Sequence, residues 1–218
     1  MRVLDILSGK SKATHIVNAR GIINGNEMAF SLDNFSSLLH GLPWEEARTR
    51  GVVSRSSCWL VQHDCCCNYP YGNKLWKPSP WPVWVEKIAR ALEVLLKLPE
   101  YFFNSCNCNK YEGSKENLEF HSDNEPLFKK SEFDRDVFIA SVSFGATRRF
   151  SIIKKYGKAI GPPIELKDGD IFTMEGRMQD DYQHAILPEK TFDPSIRFNL
   201  TFRAILRHQK GCPHRKTN

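Results

Sequence analysis

The segment Arg197–Arg203, with the sequence RFNLTFR, alternates between polar and bulky apolar residues. Side chains of a β-strand point alternately to its two faces, so one face carries all the polar members, Arg197, Asn199, Thr201 and Arg203. The opposite face carries two phenylalanines and a leucine, which belong in a core. Buried guanidinium groups are costly unless an anion accompanies them. The segment therefore predicts a core β-strand in a closed β-structure that holds an anion in its interior.

A second segment, Asn117–Asp123, places His121 and Asp123 two positions apart. On a strand these side chains share one face, so an imidazole and a carboxylate point the same way. His184, in a strand predicted over 182–187, can supply a third ligand. Two histidines and one carboxylate leave adjacent coordination positions open, as in the non-haem Fe(II) oxygenases. A strand arginine after the second histidine strengthens this interpretation, because its fork suits the remote carboxylate of 2-oxoglutarate.

The alternative interpretation makes His121 a surface residue and places Arg197 and Arg203 on the solvent face of an edge strand. An isolated His-x-Asp is weak evidence for a metal site. The site hypothesis rests on the combination of these residues with the distant histidine.

Strand and turn signals dominate the chain from Phe102 onward, with alternating segments separated by Gly-containing turns. Apolar residues recur at helical spacing over Trp84–Lys97 and, more briefly, over Leu32–Leu39. The Pro-, Tyr- and Trp-rich stretch Asn68–Pro82 favours an ordered loop with exposed rings. We therefore predict an α+β protein built on a double-stranded β-helix, or jelly roll, with supporting helices.

The chain has 218 residues, enough for one domain with a full core. Its net charge of +6 and pI near 8.9 suit a polyanionic partner but also occur in proteins that bind no nucleic acid. Apolar stretches are shorter than a bilayer span, and Met1–Asp5 lacks the apolar core of a secretory signal. We expect a soluble intracellular protein that makes no membrane contact.

Seven cysteines are an odd number, and Cys65–Cys67 are consecutive, which is a poor arrangement for disulfides. A reducing compartment, cytoplasm or nucleus, fits best. A zinc site formed by these three cysteines with Cys106 and Cys108 lacks a CxxC pair, so we expect free thiols.

These residues resemble the AlkB-like Fe(II)/2-oxoglutarate dioxygenases, in particular their nucleic-acid demethylase branch. The resemblance covers about residues 55–206. It is carried by Asn109-Lys110-Tyr111, His121–Pro126, Ile139–Arg148, Met174-Glu175-Gly176, Gln183-His184 and Arg197–Arg203.

The resemblance implies a catalytic Fe(II) bound by His121, Asp123 and His184, with 2-oxoglutarate and O2 as cosubstrates. It implies a 2-oxoglutarate pocket formed by Asn109, Tyr111, Arg197, Asn199, Thr201 and Arg203. It places Arg55, Trp59, Tyr69 and Tyr71 in an N-terminal nucleotide-recognition lid, and Asn124 and Glu125 against the base. Trp59 and Tyr69 could instead cover the jelly roll, and Glu125 could form a surface ion pair.

The activity implied by the family is oxidative demethylation of N-alkylated bases in DNA or RNA, with release of formaldehyde, succinate and CO2. A flipped or single-stranded base is required, and we expect single-stranded substrates and a monomeric protein. Many relatives have an acidic residue where Asn124 stands, which leaves the preferred base open. Alternatives are a dioxygenase acting on a protein side chain and a nucleic-acid-binding module without catalysis.

The chain divides into a variable N-terminal extension over residues 1–50, an AlkB-like dioxygenase domain with its lid over 51–207, and a basic tail over 208–218. We expect this tail to be disordered.

Overall fold

A computed structural model describes residues 2–17, 32–72, 74–131, 133, 136–191 and 194–215. These residues form mostly antiparallel strands with few helices. The strands are β1 (Arg2–Leu7), β2 (Ser11–Val17), β3 (Glu45–Thr49), β4 (Val52–Val61), β5 (Tyr69–Tyr71), β6 (Lys74–Trp76), β7 (Pro78–Pro80), β8 (Ser105–Glu112), β9 (Leu118–His121), β10 (Ile139–Gly145), β11 (Arg148–Lys154), β12 (Ile164–Leu166), β13 (Ile171–Gly176), β14 (Tyr182–Ile186) and β15 (Ile196–Arg203). The helices are α1 (Leu32–His40), α2 (Val83–Leu96) and α3 (Met178–Asp181), with a 3-10 turn at Pro126–Phe128.

Two sheets form the predicted double-stranded β-helix. The major sheet has the order β1-β2-β13-β10-β15-β8-β4-β3, with β7 parallel beside β4. The minor sheet has the order β12-β11-β14-β9, and β5 and β6 form a separate hairpin. Rings of the two sheets meet directly, since the centroids of Phe150 and Phe172 lie 4.7 Å apart. The jelly roll predicted from the strand pattern is confirmed.

Strand β15 lies inside the major sheet, between β10 and β8. Both backbone edges of the strand are therefore paired, and its two faces point into different layers. Phe198, Leu200 and Phe202 are 0% exposed and share one core with the apolar side of α2. The polar face consequently points toward the space between the sheets. The predicted alternation is confirmed, and the edge-strand alternative is wrong.

The N-terminal segments contribute to the major sheet. The β1–β2 hairpin pairs with β13, and β3 pairs with β4. The ring of His15 also contacts the buried carboxylate of Asp170 at 2.7 Å. The domain boundaries predicted from the sequence stay a prediction. Three strands that precede residue 51, β1, β2 and β3, belong to the major sheet.

Two expectations about loops are wrong. Residues 68–82 include three short strands, and Tyr69 and Trp76 are 0% and 3% exposed because they pack into the core. The tail is also ordered over residues 208–215, where Cys212 is 5% exposed. Residues 216–218 lie outside the described part of the chain.

No helix in the described ranges is long and apolar enough to cross a membrane.

Gly145 provides a test of how β10 meets β15. Its φ of +79° is left-handed, and an added Cβ would overlap the carbonyl oxygen of Ile196. Gly161 has a similar φ of +68° but open space around it. We expect both Gly145→Ala and Gly161→Ala to lose about 1–2 kcal/mol to backbone strain. The overlap should cost Gly145→Ala about 1–3 kcal/mol more.

Urea unfolding of both variants measures this difference, because the midpoint reports stability when the slope is unchanged. Equal losses in the two variants would contradict the predicted overlap at Ile196.

Candidate active site

Two histidines lie side by side on adjacent strands of the minor sheet. His121 is the last residue of β9, and the antiparallel register pairs it with His184 of β14. Their ring centroids lie 4.2 Å apart. The distant histidine therefore reaches its partner by strand pairing.

Asp123 joins them from the loop that follows β9. Its carboxylate oxygens lie 3.5 Å from Nε2 of His121 and 3.8 Å from Nε2 of His184. Its backbone N–H donates to Oε1 of Gln179 at 2.9 Å, which holds the loop against α3. The expectation that strand alternation aligns His121 and Asp123 is wrong, because the strand ends at His121. The loop nevertheless brings the three ligand atoms within 4.8 Å of one another.

The protonation states of these groups suit metal binding. Burial lowers the pKa of His121, and burial together with His121 lowers that of His184 to about 3. Burial alone would raise the pKa of Asp123, but the Arg203 guanidinium holds it well below its usual range. Nδ1 of His121 donates to the carbonyl oxygen of Glu119 at 2.8 Å, which leaves Nε2 as a ligand. Neutral imidazoles and an ionised carboxylate are the forms that bind a metal.

The polar face of β15 forms the wall of an adjoining cavity. The cavity is lined by residues of several strands together with the three candidate ligands, including Asn107, Asn109, Tyr111, Ser141, Arg197, Asn199, Thr201 and Arg203. On β15, Asn199 donates to Ser141 Oγ at 2.6 Å and accepts from Thr201 Oγ1 at 3.0 Å. Across the register, Arg197 lies opposite Tyr111. The six predicted cosubstrate residues thus lie around one cavity.

Arg197 is a buried cation with no counter-ion in the described part of the chain. It is 1% exposed, and its Nη2 donates to Ser143 Oγ at 3.0 Å. Within the described ranges, its Nε and Nη1 have no hydrogen-bond partner, and neither does the buried phenol oxygen of Tyr111. Among the described residues, no carboxylate lies within 4.0 Å of this guanidinium. Burial lowers the pKa of Arg197 to about 10, so the group stays charged at neutral pH. Unmatched donors around a buried cation fit a bound carboxylate.

Arg203 differs because it already has an anion. Its Nη2 lies 2.5 Å from Oδ2 of Asp123, in a pair whose side chains are 3% and 2% exposed. Burial alone would lower the pKa of Arg203, but the carboxylate raises it. The two arginines of β15 therefore have different environments, although the sequence presents them as equivalent.

Three supporting residues lie outside the site predicted from the sequence. Ser141 and Ser143 receive hydrogen bonds from the polar face of β15, and Gln179 holds Asp123. The two serines alternate with apolar residues in β10, a pattern that could have identified them. The role of Gln179 has no local signal, because its partner is 56 residues away.

The predicted lid residues lie at different depths. Trp59 is 1% exposed and packs against Tyr69, with centroids 4.7 Å apart, and Tyr69 stacks on Tyr71 at 5.4 Å. Trp59 and Tyr69 therefore lie behind Tyr71. Of these three aromatic residues, only Tyr71 lines the adjacent surface groove. Arg55 is 4% exposed, and its Nε donates to the side-chain oxygen of Asn109 at 2.7 Å. This hydrogen bond joins a predicted lid residue to a residue that lines the cavity.

A groove of about 800 Å³ opens beside His121. Its lining includes Arg48, Arg50, Arg55, Tyr71, Lys74, Glu119 and Glu125. Glu125 accepts from the Tyr69 hydroxyl at 3.1 Å, and burial, together with Asp123, raises its pKa to about 7. Asn124 is exposed and is not among the lining residues. The groove is large enough for a nucleobase and its neighbours.

We expect His184→Ala to weaken Mn(II) binding by at least about 100-fold, because two remaining ligands cannot hold the facial site. His40→Ala, at the exposed end of α1, serves as the matched control. Isothermal titration with Mn(II), which thiolates bind poorly, measures the affinity. Unchanged affinity in the His184 variant would remove that residue from the ligand set.

Comparisons with known proteins agree with this geometry. Residues 31–203 match the model of the 2OG-Fe(II) oxygenase superfamily. The human protein "Alpha-ketoglutarate-dependent dioxygenase alkB homolog 3" is 33% identical over 154 residues, which cover 66% of this chain and 51% of that protein. "DNA oxidative demethylase ALKBH2" from Arabidopsis thaliana is 32% identical over 131 residues, which cover 50% of this chain and 40% of that protein. The matched regions thus span about half the length of these relatives or less.

The solved structure of OsALKBH1 superposes with a TM-score of 0.61 at 17% identity, and the match covers 91% of this chain and 99% of that one. This likeness concerns the fold alone. The family model, by contrast, includes the residues of both the metal triad and the cosubstrate cavity. The chain belongs to the 2OG-Fe(II) oxygenase superfamily and is an AlkB-like dioxygenase within it.

Proposed function

We propose that this chain is an oxidative demethylase of N-alkylated bases in nucleic acid that releases formaldehyde, succinate and CO2. Membership of the family gives it Fe(II) as its metal, with 2-oxoglutarate and O2 as cosubstrates. The observation that carries the proposal is the groove, which places Tyr71 and several cations beside the candidate ligand His121. The name of the Arabidopsis relative, a DNA oxidative demethylase, supports the same substrate class.

A metal held by His121, Asp123 and His184 would supply, with O2 and 2-oxoglutarate, the oxidation that removes an N-methyl group from the base as formaldehyde. The protein's task is to position the reactants. Arg197 and the Tyr111 hydroxyl would hold the remote carboxylate of 2-oxoglutarate through their unmatched donors. Arg203 fixes the carboxylate of Asp123, and Gln179 fixes its backbone N–H. This arrangement is preorganised, because each of these supporting groups is buried.

The substrate groove combines an aromatic ring with cations. Tyr71 offers a face for stacking, and its ring centroid is 5.7 Å from that of His121. Arg48, Arg50 and Lys74 lie along the rim, each within 4.0 Å of a carboxylate. Such exposed ion pairs contribute little stability, so these cations can exchange their partners for phosphates. A base must leave its stack to reach His121, which favours single-stranded or flipped substrates.

A second candidate is oxidation of a protein side chain. The carboxylates of Glu46, Glu119 and Glu125 line the same groove and favour a basic side chain as substrate. Formaldehyde release from methylated oligonucleotides and methylated peptides, measured side by side, distinguishes the two. Turnover of peptides alone would overturn the nucleic-acid proposal.

Two further properties belong to this proposal. The odd number of cysteines, three of them consecutive, is the basis for the expected reducing compartment, cytoplasm or nucleus, which stays our prediction. A monomer acting on single strands remains our prediction, and size-exclusion chromatography with light scattering measures the oligomeric state.

We expect Tyr71→Ala to weaken binding of a methylated single strand by about 1–3 kcal/mol, the cost of losing one stacking ring. Tyr156→Ala, which changes a fully exposed tyrosine away from the groove, is the control. Fluorescence anisotropy gives both affinities, and succinate formation without nucleic acid reports whether the iron site is intact. Equal affinities in the two variants would remove Tyr71 from the substrate site.

We expect Arg197→Lys to raise the KM for 2-oxoglutarate by about 10- to 100-fold, because loss of a charge-assisted hydrogen bond costs about 1.5–3 kcal/mol. Nucleic-acid affinity should stay the same, since Arg197 is buried away from the groove. Arg177→Lys, at an exposed pair with Asp181, is the matched control. Steady-state kinetics with varied 2-oxoglutarate test this, and an unchanged KM would contradict the carboxylate role.

A further inference from the structure

Three thiols and an imidazole converge at a place remote from the iron triad. Cys65 and Cys67 come from the segment between β4 and β5, whereas His208 and Cys212 come from the segment after β15. Nδ1 of His208 lies 3.9 Å from Sγ of Cys65, 3.5 Å from that of Cys67 and 3.3 Å from that of Cys212. The Sγ atoms of Cys65 and Cys212 are 3.8 Å apart. All four atoms lie within 4.8 Å of one another.

These separations match the edges of a tetrahedron around zinc. With Zn–S bonds of about 2.3 Å and a Zn–N bond of about 2.0–2.1 Å, tetrahedral angles give S···S edges near 3.8 Å and S···N edges near 3.5 Å. The four measured distances agree with these edges within about 0.4 Å. A disulfide would require sulfurs about 2.05 Å apart, so the structure shows the cysteines unbonded.

We propose that Cys65, Cys67, His208 and Cys212 bind a structural Zn²⁺ that fastens the C-terminal segment to the beginning of the lid. Three thiolates and a neutral imidazole form a closed tetrahedral set, which leaves no position for a substrate. This site is separate from the iron triad and does not depend on the proposed activity.

The surroundings of the cluster support a bound metal. Cys65, Cys67 and Cys212 are 8%, 0% and 5% exposed. The Gln209 backbone N–H points at Sγ of Cys67 at 3.3 Å, a contact that stabilises a metal-bound thiolate.

The C-terminal segment has little apolar packing to hold it in place. Residues 208–215, HQKGCPHR, contain no helix or strand and few apolar side chains. Such a composition cannot bury enough apolar surface to offset the entropy of ordering. The segment is nevertheless positioned by hydrogen bonds, with Gln209 bonded twice to the backbone of Asn68 at 2.8 and 2.9 Å. A zinc ion would supply the missing free energy.

The cluster corrects the set of cysteines considered from the sequence. Cys106 and Cys108 lie in the core under α2, in contact only with each other and Cys58 among the described thiols. Cys66 is exposed. The ligand set is therefore Cys-x-Cys joined to His-x3-Cys, and Cys66 becomes an internal control.

The position of the cluster connects it to the groove. The Trp59 indole donates to the carbonyl oxygen of Cys67 at 2.8 Å, and β5 begins two residues later at Tyr69. A metal at this point would hold the first residues of the β5–β6 hairpin in place. It would thereby also hold the stacked rings of Tyr69 and Tyr71.

Zinc content is the first test, measured by plasma mass spectrometry on protein purified with reductant. His121→Ala serves as the background, so that zinc does not occupy the iron triad. We expect about one zinc per chain in this background and with Cys66→Ser added. We expect most of that zinc to be lost when Cys65→Ser, His208→Ala or Cys212→Ser is added instead. Absence of zinc from the background protein, or equal loss with Cys66→Ser, would overturn the proposal.

Co(II) binding by the chain without substitutions gives a second test, which does not depend on whether the variants fold. Thiolate-to-cobalt charge-transfer absorption and intense visible bands are expected, because a tetrahedral sulfur site produces them and the iron triad does not. Removal of zinc by a chelator should lower the Tm. A Cys65–Cys212 disulfide in protein purified without reductant, together with no cobalt–thiolate absorption in the reduced chain, would contradict the site.

Discussion

The ion pair between Arg203 and Asp123 joins the two sheets at the metal site. The arginine belongs to the major sheet, and the carboxylate follows β9 of the minor sheet. A charge on either side alone would be buried without compensation, at a cost of several kcal/mol. The pair therefore fixes where the loop after β9 must lie, and with it the third metal ligand. His121 and His184 need no ion pair to position them, because strand pairing already aligns them.

The second arginine of β15 shows how the same strand prepares a binding site. Arg197 has the same orientation as Arg203 but faces Tyr111 and Ser143 instead of a carboxylate. The protein bears the cost of a buried and incompletely bonded cation there. Such a cost is expected at sites that are complete only when an anion binds. The metal end of the cavity is thus electrostatically balanced, while the remote end favours a carboxylate.

The groove wall depends on parts of the chain that carry no catalytic group. Tyr71 stacks on Tyr69, which packs on Trp59, and the Trp59 indole is bonded to the cysteine segment. That segment meets residues 208–215 at the proposed zinc site. Changes in the C-terminal segment would therefore affect the groove beside His121 through packed rings, without contact to the iron ligands.

The sequence by itself determined the elements whose signal is local. Alternation over β15, the helical spacing over α2 and the His-x-Asp pair are properties of neighbouring residues, so periodicity reveals them. Tertiary structure alone decided which distant groups meet. Cys65 and His208, 143 residues apart, contact each other because the segments after β4 and β15 end at the same place. Burial of Trp59 and the different partners of Arg197 and Arg203 were likewise decided by packing. Sequence spacing fixes the face on which a side chain lies, but only the folded chain fixes what stands opposite that face.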